Sequence, residues 1–304
     1  MQDLNVTQMD TVKVSAIQDF KEITKMRLAL SVVFSSVTGY LLGVETISWS
    51  TLILLAVGGY FMVGASNAFN QIIERDLDKL MDRTKDRPIP SGRMTVNTAF
   101  IIATVFTIAG LTVLYIINPQ TAMFGAISIF LYVSVYTPLK TKTPLSVFVG
   151  AFPGAIPFML GWVAATNDFG IEPGTLFMVQ FFWQFPHFWA IGWFLFDDYK
   201  KGGFFMLPTG KKDKGTAVQV IIYTIWTIVT SLIPVFGVTG KLYLTPVSGI
   251  LILLLGLLLL LKSAIKLYKE RSAETAKKLM LMSVLYITLL QVIYVADKWI
   301  RIWI

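Results

Sequence analysis

Asn70-Gln71-Ile72-Ile73-Glu74-Arg75-Asp76-Leu77-Asp78, running on to Asp82-Arg83-Thr84-Lys85-Asp86-Arg87-Pro88, closes a stretch of mostly apolar residues. That stretch is about twenty residues long, the length a helix needs to cross a bilayer, so its polar end marks where the helix emerges into water. Asn70, Glu74, Asp78 and Asp82 recur at every fourth position, and on a helix each such step turns only about 40°. One amide and three carboxylates therefore share a slowly rotating row at the membrane surface. Carboxylates held this closely repel one another unless a positive charge lies between them, and Mg²⁺ is the hard cation such oxygens attract. Mg²⁺ is seldom held by protein oxygens alone and commonly bridges one or two carboxylates to substrate phosphates. Local pairing with Arg75, Lys79 and Arg83 is the competing use of the same acids.

Composition sets the class. Of 304 residues, 55% are hydrophobic and 14% charged, against roughly 25% charged in soluble proteins. The chain reads as a polytopic membrane protein of all-α class. It has no cysteine, which removes disulfides, thiolate metal sites and a cysteine nucleophile. A net charge of +8 suggests nucleic acid only in a soluble protein; here its placement along the chain matters more, and no nucleic-acid partner is expected.

Nine apolar segments follow a polar opening: roughly 27–43, 51–73, 97–117, 121–137, 145–165, 174–196, 216–238, 245–261 and 279–296. Residues 1–25 read as a cytoplasmic segment, with Val12, Ala16, Phe20 and Ile23 able to form one apolar face, and 26–304 as a single nine-helix domain. Asn118-Pro119-Gln120 makes a tight turn between antiparallel helices. The N-terminal segment through Arg27 and the loops at 74–96, 138–144, 197–215 and 262–278 hold 23 of the 26 basic residues. By the positive-inside rule that side is cytoplasmic and the C-terminus lies outside. Residues 250–261 read as lipid-facing, 262–278 as a basic amphipathic loop at the lipid surface, and Gln219 and Gln291 as interhelical hydrogen-bonding groups.

The polar chemistry gathers on the basic side. Arg83, Lys85 and Arg87 stand beside the acidic row and suit polyphosphate, although topogenic charge and anionic-lipid binding are alternative uses. Tyr136-Thr137-Pro138-Leu139-Lys140-Thr141-Lys142 forms a short loop whose lysines stay near helix ends. The fifth segment carries Gly150, Pro153, Gly154, Pro157 and Gly161, read as packing residues. In the sixth, Gln180, Gln184 and His187 share one face, Pro186 should kink the helix, and Asp198 lies three turns on, near the same face. His187 is the only histidine, and an ionisable side chain inside a span is a functional candidate by default, with an ordinary buried hydrogen bond as the alternative. Asp197-Asp198-Tyr199-Lys200-Lys201 supplies a second acidic centre on the same side.

Two such centres can hold Mg²⁺ against a diphosphate whose hydrocarbon tail lies in the bilayer. Asn70, Glu74 and Asp78 resemble the NxxxDxxxD motif of the UbiA-type prenyltransferases, whose fold is a nine-helix membrane bundle. Glu74 stands where that motif has Asp, and Asp197-Asp198 departs from the spaced acids of the quinone-type members. Asp82 through Gly92, Tyr136 through Lys140, Gly150 through Pro157 with Gly161-Trp162, Trp183-Gln184-Phe185-Pro186-His187-Phe188, Asp198-Tyr199 and Met206-Leu207-Pro208 resemble the heme-farnesylating branch of that family.

The resemblance implies transfer of a farnesyl group from farnesyl diphosphate to a vinyl group of heme b, with addition of water, in a bacterial cytoplasmic membrane. It implies Mg²⁺ held among Asn70, Glu74, Asp78, Asp82, Asp197 and Asp198. It gives Asn70, Tyr136, Tyr199 and His187 catalytic positions, with His187 ligating heme iron, orienting the porphyrin or handling a proton. Arg83, Lys85, Arg87, Lys140, Lys142, Gln184 and Lys200 would contact substrate. The partners implied are farnesyl diphosphate, heme b and the lipid bilayer, with a downstream heme A-forming enzyme or oxidase assembly factors as further candidates. Three other classes compete: a quinone or chlorophyll prenyltransferase, which should lack the Trp-Gln-x-Pro-His segment; a transporter, whose charges need not gather at one face; and a CDP-alcohol phosphotransferase, whose DGxxAR signature is absent.

Overall fold

The computed structural model describes residues 15–303, all helices and connections, with no strand among the described residues. Val12 and Lys13 lie outside that range. The short helix α1 (Ala16–Ile23) precedes nine long helical segments: α2 (Met26–Gly43), α3 (Trp49–Asp78), α4 (Val96–Ile117), α5 (Pro119–Leu139), α6 (Ser146–Thr166) and α7 (Ile171–Phe194), then, after the short α8 (Phe196–Lys201), α9 (Lys214–Phe236), α10 (Pro246–Glu270) and α11 (Ala273–Trp303). The nine match the nine apolar segments of the sequence. Eight are long and apolar enough to cross a membrane. The ninth, α7, is long enough but carries Gln180, Gln184, His187 and three tryptophans. It packs against α6, α9 and α11, so protein rather than lipid surrounds most of its polar groups.

Local chemistry explains the boundaries. Ser48, Thr95 and Asp213 cap the starts of α3, α4 and α9 with side-chain oxygens. Asn118 ends α4 and caps α5: its Oδ1 accepts from Thr121 N at 2.8 Å, Pro119 takes the first helical position, and its Nδ2 donates to Val163 O at 3.1 Å. Near its other end α5 widens into a π turn over Leu131–Tyr136. Pro138 has no N–H and would crowd the carbonyl four residues back; the widened turn accommodates it, and Thr137 donates both N–H and Oγ1–H to Tyr132 O.

Small residues bring α2 and α6 together. A Cβ on Gly161 would lie 1.9 Å from Ser36 O, and one on Gly39 would lie 2.0 Å from Phe158 O, so only glycine permits this crossing. Pro157 leaves the carbonyl of Pro153 without its helical partner, and Ser128 Oγ donates to it at 3.3 Å.

Four sequence expectations change. The row of four is helical only as far as Asp78, where α3 ends, so Asp82 lies on the turn that follows and leaves the row. Residues 262–278 are not a loop: α10 runs to Glu270 and α11 begins at Ala273, with Arg271 in a left-handed turn between them. Gln219 is exposed rather than bonded between helices, since it lies only two turns into α9, whereas Gln291 does donate to Ser35 Oγ and Gln180 Oε1. The face shared by His187 and Asp198 does not exist either, because the helix breaks at Leu195 and Asp198 sits on α8.

Candidate active site

Asn70, Glu74 and Asp78 remain helical and are 1%, 4% and 0% exposed, which places the row against neighbouring elements instead of in water. Each takes a partner from another part of the chain. Asn70 Nδ2 donates to Thr137 Oγ1 at 3.3 Å. Lys140 Nζ lies 2.5 Å from Glu74 Oε1. Arg87 donates to Asp78 Oδ2 at 2.8 Å, while Asp78 Oδ1 is buried without a hydrogen bond. Local pairing is left to Asp76, whose exposed carboxylate meets Arg75 and Lys79.

Lys140 is enclosed by aromatic rings, its ammonium 4.8 Å from the Tyr136 centroid and 5.4 Å from that of Phe204. The π turn carries Tyr132 and Tyr136 to this place, and Gly150 makes the room: a Cβ there would lie 2.6 Å from the Tyr136 ring. Burial alone would lower the Lys140 pKa, but the Glu74 carboxylate outweighs it and holds the ammonium above its ordinary value.

The second centre joins the first through the connection after α3. Asp198 accepts from Asp82 N at 2.7 Å and from Arg83 N at 3.4 Å, tying α8 to the segment that carries Arg83, Lys85 and Arg87. Arg83 lies over the Tyr199 ring at 5.6 Å. Asp82 bonds Lys201, whose ammonium pulls its pKa below the usual carboxylate range, and also pairs with Lys85. Asp197 points to Lys212 at 3.1 Å, away from these groups. Lys142 and Lys200 are exposed. Among the described residues no three acidic or histidine side chains gather as a ready-made metal cluster. The donor set nevertheless fits Mg²⁺: hard carboxylate and amide oxygens, with one buried carboxylate oxygen on Asp78 uncommitted.

Gln184 and His187 do different work from each other. Gln184 Nε2 donates to Ala151 O at 2.8 Å, and its Oε1 occupies the space a Cβ on Gly154 would need, so it crosslinks α7 to α6. His187 stacks on Trp183 with ring centroids 4.7 Å apart, and its Nδ1 lies 2.8 Å from Ser283 Oγ. An apolar cavity of about 630 Å³ runs from Leu131, where the π turn begins, along Phe152, Ile156 and Met159 to Phe169.

Lys25 is the residue that sequence reasoning passed over. It stands between α1 and α2 with φ 47°, within electrostatic reach of Arg87, Lys140, Glu74 and Asp78. Burial first, then Arg87 and Lys140, lower its pKa to about 7. Nothing in the pattern around residue 25 signals this, because the bend that carries it is held by Asn67 and Gln71 of α3.

The model of the UbiA prenyltransferase family matches residues 32–285. The chain belongs to the UbiA prenyltransferase family. Within it, the chain is 75% identical over 298 residues to a protoheme IX farnesyltransferase of Christiangramia forsetii, covering 98% of this chain and 99% of that protein. A protoheme IX farnesyltransferase of Cytophaga hutchinsonii is 42% identical, over 93% of this chain and 99% of that one. Solved UbiA homologues share the fold at low identity: one from Archaeoglobus fulgidus, bound to GPP and Mg²⁺, superposes with a TM-score of 0.64 at 14% identity over 91% of this chain and 99% of that one. As a UbiA prenyltransferase, the chain is a multi-pass membrane enzyme.

Proposed function

We propose that this prenyltransferase transfers the farnesyl group of farnesyl diphosphate to a vinyl group of protoheme IX, with water added, giving heme O. The observation that carries this reading is 75% identity to a protoheme IX farnesyltransferase across 98% of the chain, a span that includes every candidate site residue. The diphosphate would settle where Lys140 and Arg87 already stand beside Glu74 and Asp78. Bound Mg²⁺, held by Asn70, Glu74 and Asp78 with help from the acids of the second centre, would neutralise the leaving diphosphate. Lys140 and Arg87 add fixed positive charge where negative charge grows as the allylic C–O bond breaks. The Tyr132 and Tyr136 rings and the apolar helix walls shelter the allylic cation from premature capture by water.

Purified protein incubated with protoheme IX, farnesyl diphosphate and Mg²⁺ should yield a hydroxyethylfarnesyl heme by mass spectrometry. A farnesylated quinone precursor in its place would move the chain to another acceptor class. The onward partner is an enzyme or assembly factor that takes up this apolar heme.

The placement of 23 of the 26 basic residues supports insertion in a bacterial cytoplasmic membrane with the site on the cytoplasmic face. Single cysteines at the exposed positions Ser91 and Thr209 should resist membrane-impermeant thiol reagents in intact cells and react after lysis. Rapid labelling of either in intact cells would reverse the orientation.

A further inference from the structure

We infer that Gln180 and Gln184 hold the water that adds to the farnesylated vinyl group, with Gln291 and Ser35 as positioning residues behind Gln180. The inference deepens the farnesyl-transfer reading and rests on it.

Farnesyl transfer to a vinyl group leaves a carbon to be completed. The allylic C–O bond breaks with its electron pair leaving on diphosphate, and the vinyl π pair joins the terminal vinyl carbon to the farnesyl carbon. The inner vinyl carbon is then a cation. It becomes the hydroxyl-bearing carbon by taking an electron pair from water, whose proton passes to the released diphosphate. Without a water in place, the same cation sheds a proton from the neighbouring carbon and becomes an alkene. A bundle that shelters the first cation from water must therefore deliver one water to the second.

Gln180 lies near the middle of α7, two turns before His187, or roughly 10 Å along the helix axis. Gln291 on α11 offers two N–H groups: one goes to Ser35 Oγ at 3.1 Å and the other to Gln180 Oε1 at 3.3 Å. Gln291 and Ser35 are both buried, so this pair fixes which way the Gln180 amide faces. Its oxygen is turned to α11, and its Nε2 makes no hydrogen bond among the described residues. Gln184, one turn on, donates Nε2 to Ala151 O and Gln180 O, and its Oε1 receives no donor among the described residues. A free donor and a free acceptor thus stand four residues apart on one helix face, about 5–6 Å between Cβ atoms, a separation that one water bridges. A water there accepts from Gln180 and donates to Gln184, which leaves it a lone pair for the carbon.

Amide groups left unpaired in apolar surroundings are costly, and a plain crosslink between helices would use them. The indole N–H groups of Trp189 and Trp193 are also unpaired, but both are sealed within an apolar cluster. Gln180 Nε2 and Gln184 Oε1 are not sealed, although the two residues are only 7% and 2% exposed. A molecule as small as water has access to both.

The test uses full-length protein in detergent with protoheme IX, farnesyl diphosphate and Mg²⁺, and reads the products by mass spectrometry. The hydroxylated and dehydrated farnesyl hemes differ by one water, and their ratio does not depend on how much turnover survives. Gln180→Met keeps the side chain's length and removes its donors. The dehydrated product should rise relative to the hydroxylated one by about tenfold, the equivalent of one lost hydrogen bond. Gln291→Leu leaves the Gln180 amide free to turn, so it should shift the ratio in the same direction by less and add nothing to Gln180→Met in the double variant. Wild-type ratios in both single variants, whatever happens to rate or melting temperature, overturn the inference and leave these glutamines as a crosslink between α2, α7 and α11. If Gln180→Met fails to fold, the ratio in Gln291→Leu decides alone. Wild-type protein that makes no farnesylated heme overturns the farnesyl-transfer reading and the inference together, whereas a hydroxylated product from wild type and both variants alike overturns the inference alone.

Discussion

Glu74→Gln and Asp78→Asn should each lower the rate of heme farnesylation by roughly 10²–10³-fold or more, the loss typical when a group stabilising transition-state charge is removed. Both side chains are almost fully buried, and both amides preserve shape and one acceptor oxygen for Lys140 or Arg87. The fold should survive. Alanine at either position is a poorer experiment, since it strands a buried cation at about 3–5 kcal/mol. Initial rates over a Mg²⁺ titration, with melting temperatures of each variant, separate the two effects. Turnover within tenfold of wild type in Glu74→Gln would remove the α3 row from the chemistry.

Asp198→Asn is expected to behave differently. Its carboxylate receives the backbone N–H groups of Asp82 and Arg83, and asparagine can still accept the shorter bond. Losing one charge-assisted bond corresponds to about tenfold, and the loss should fall on the KM for farnesyl diphosphate. A drop in kcat as deep as that of Asp78→Asn would instead make Asp198 a direct ligand of the cation.

Length and hydropathy place eight of the nine segments, because apolar runs of spanning length have few other uses, while α7 is long enough but too polar to qualify on hydropathy. Polar helix ends are where that reading stops short. Asn70 to Asp78 stays helical past the apolar run because its acids find cations on other elements, and no window of sequence contains those partners. Glu74 needs Lys140 and Asp78 needs Arg87. The four-residue spacing shows that the acids share a face without showing what meets it.

Polarity within a helix is similarly ambiguous. Gln180, Gln184 and His187 share a helical face, yet Gln180 and His187 turn to α11 while Gln184 turns to α6. Gly154 decides the last case by giving Gln184 its space. The place of Lys25 was illegible for a different reason: the bend that carries it is held by Asn67 and Gln71, more than forty residues away.

His187→Ala is expected to weaken heme binding more than tenfold and to shift the Soret band of the bound heme. The argument begins with Ser283. Its hydroxyl carries one proton, which goes to Met280 O at 2.7 Å. The Ser283 oxygen then accepts, so the partner 2.8 Å away must be Nδ1–H of His187. That fixes the neutral tautomer with the lone pair on Nε2, the form in which imidazole ligates iron. Trp183 strengthens the assignment by stacking on the ring and donating Nε1–H to Ser283 O at 2.7 Å. A hydrogen bond to the far nitrogen typically contributes 10–100-fold to metal affinity, so Ser283→Ala should produce a weaker version of the same defect. Iron-free protoporphyrin keeps the vinyl groups but offers nothing to ligate, and wild type and His187→Ala should bind it alike. Pyrophosphate affinity should stay unchanged in both variants. If His187→Ala binds heme as tightly as wild type and gives the same spectrum, the ring is a packing element between α7 and α11, and porphyrin recognition lies elsewhere in the bundle.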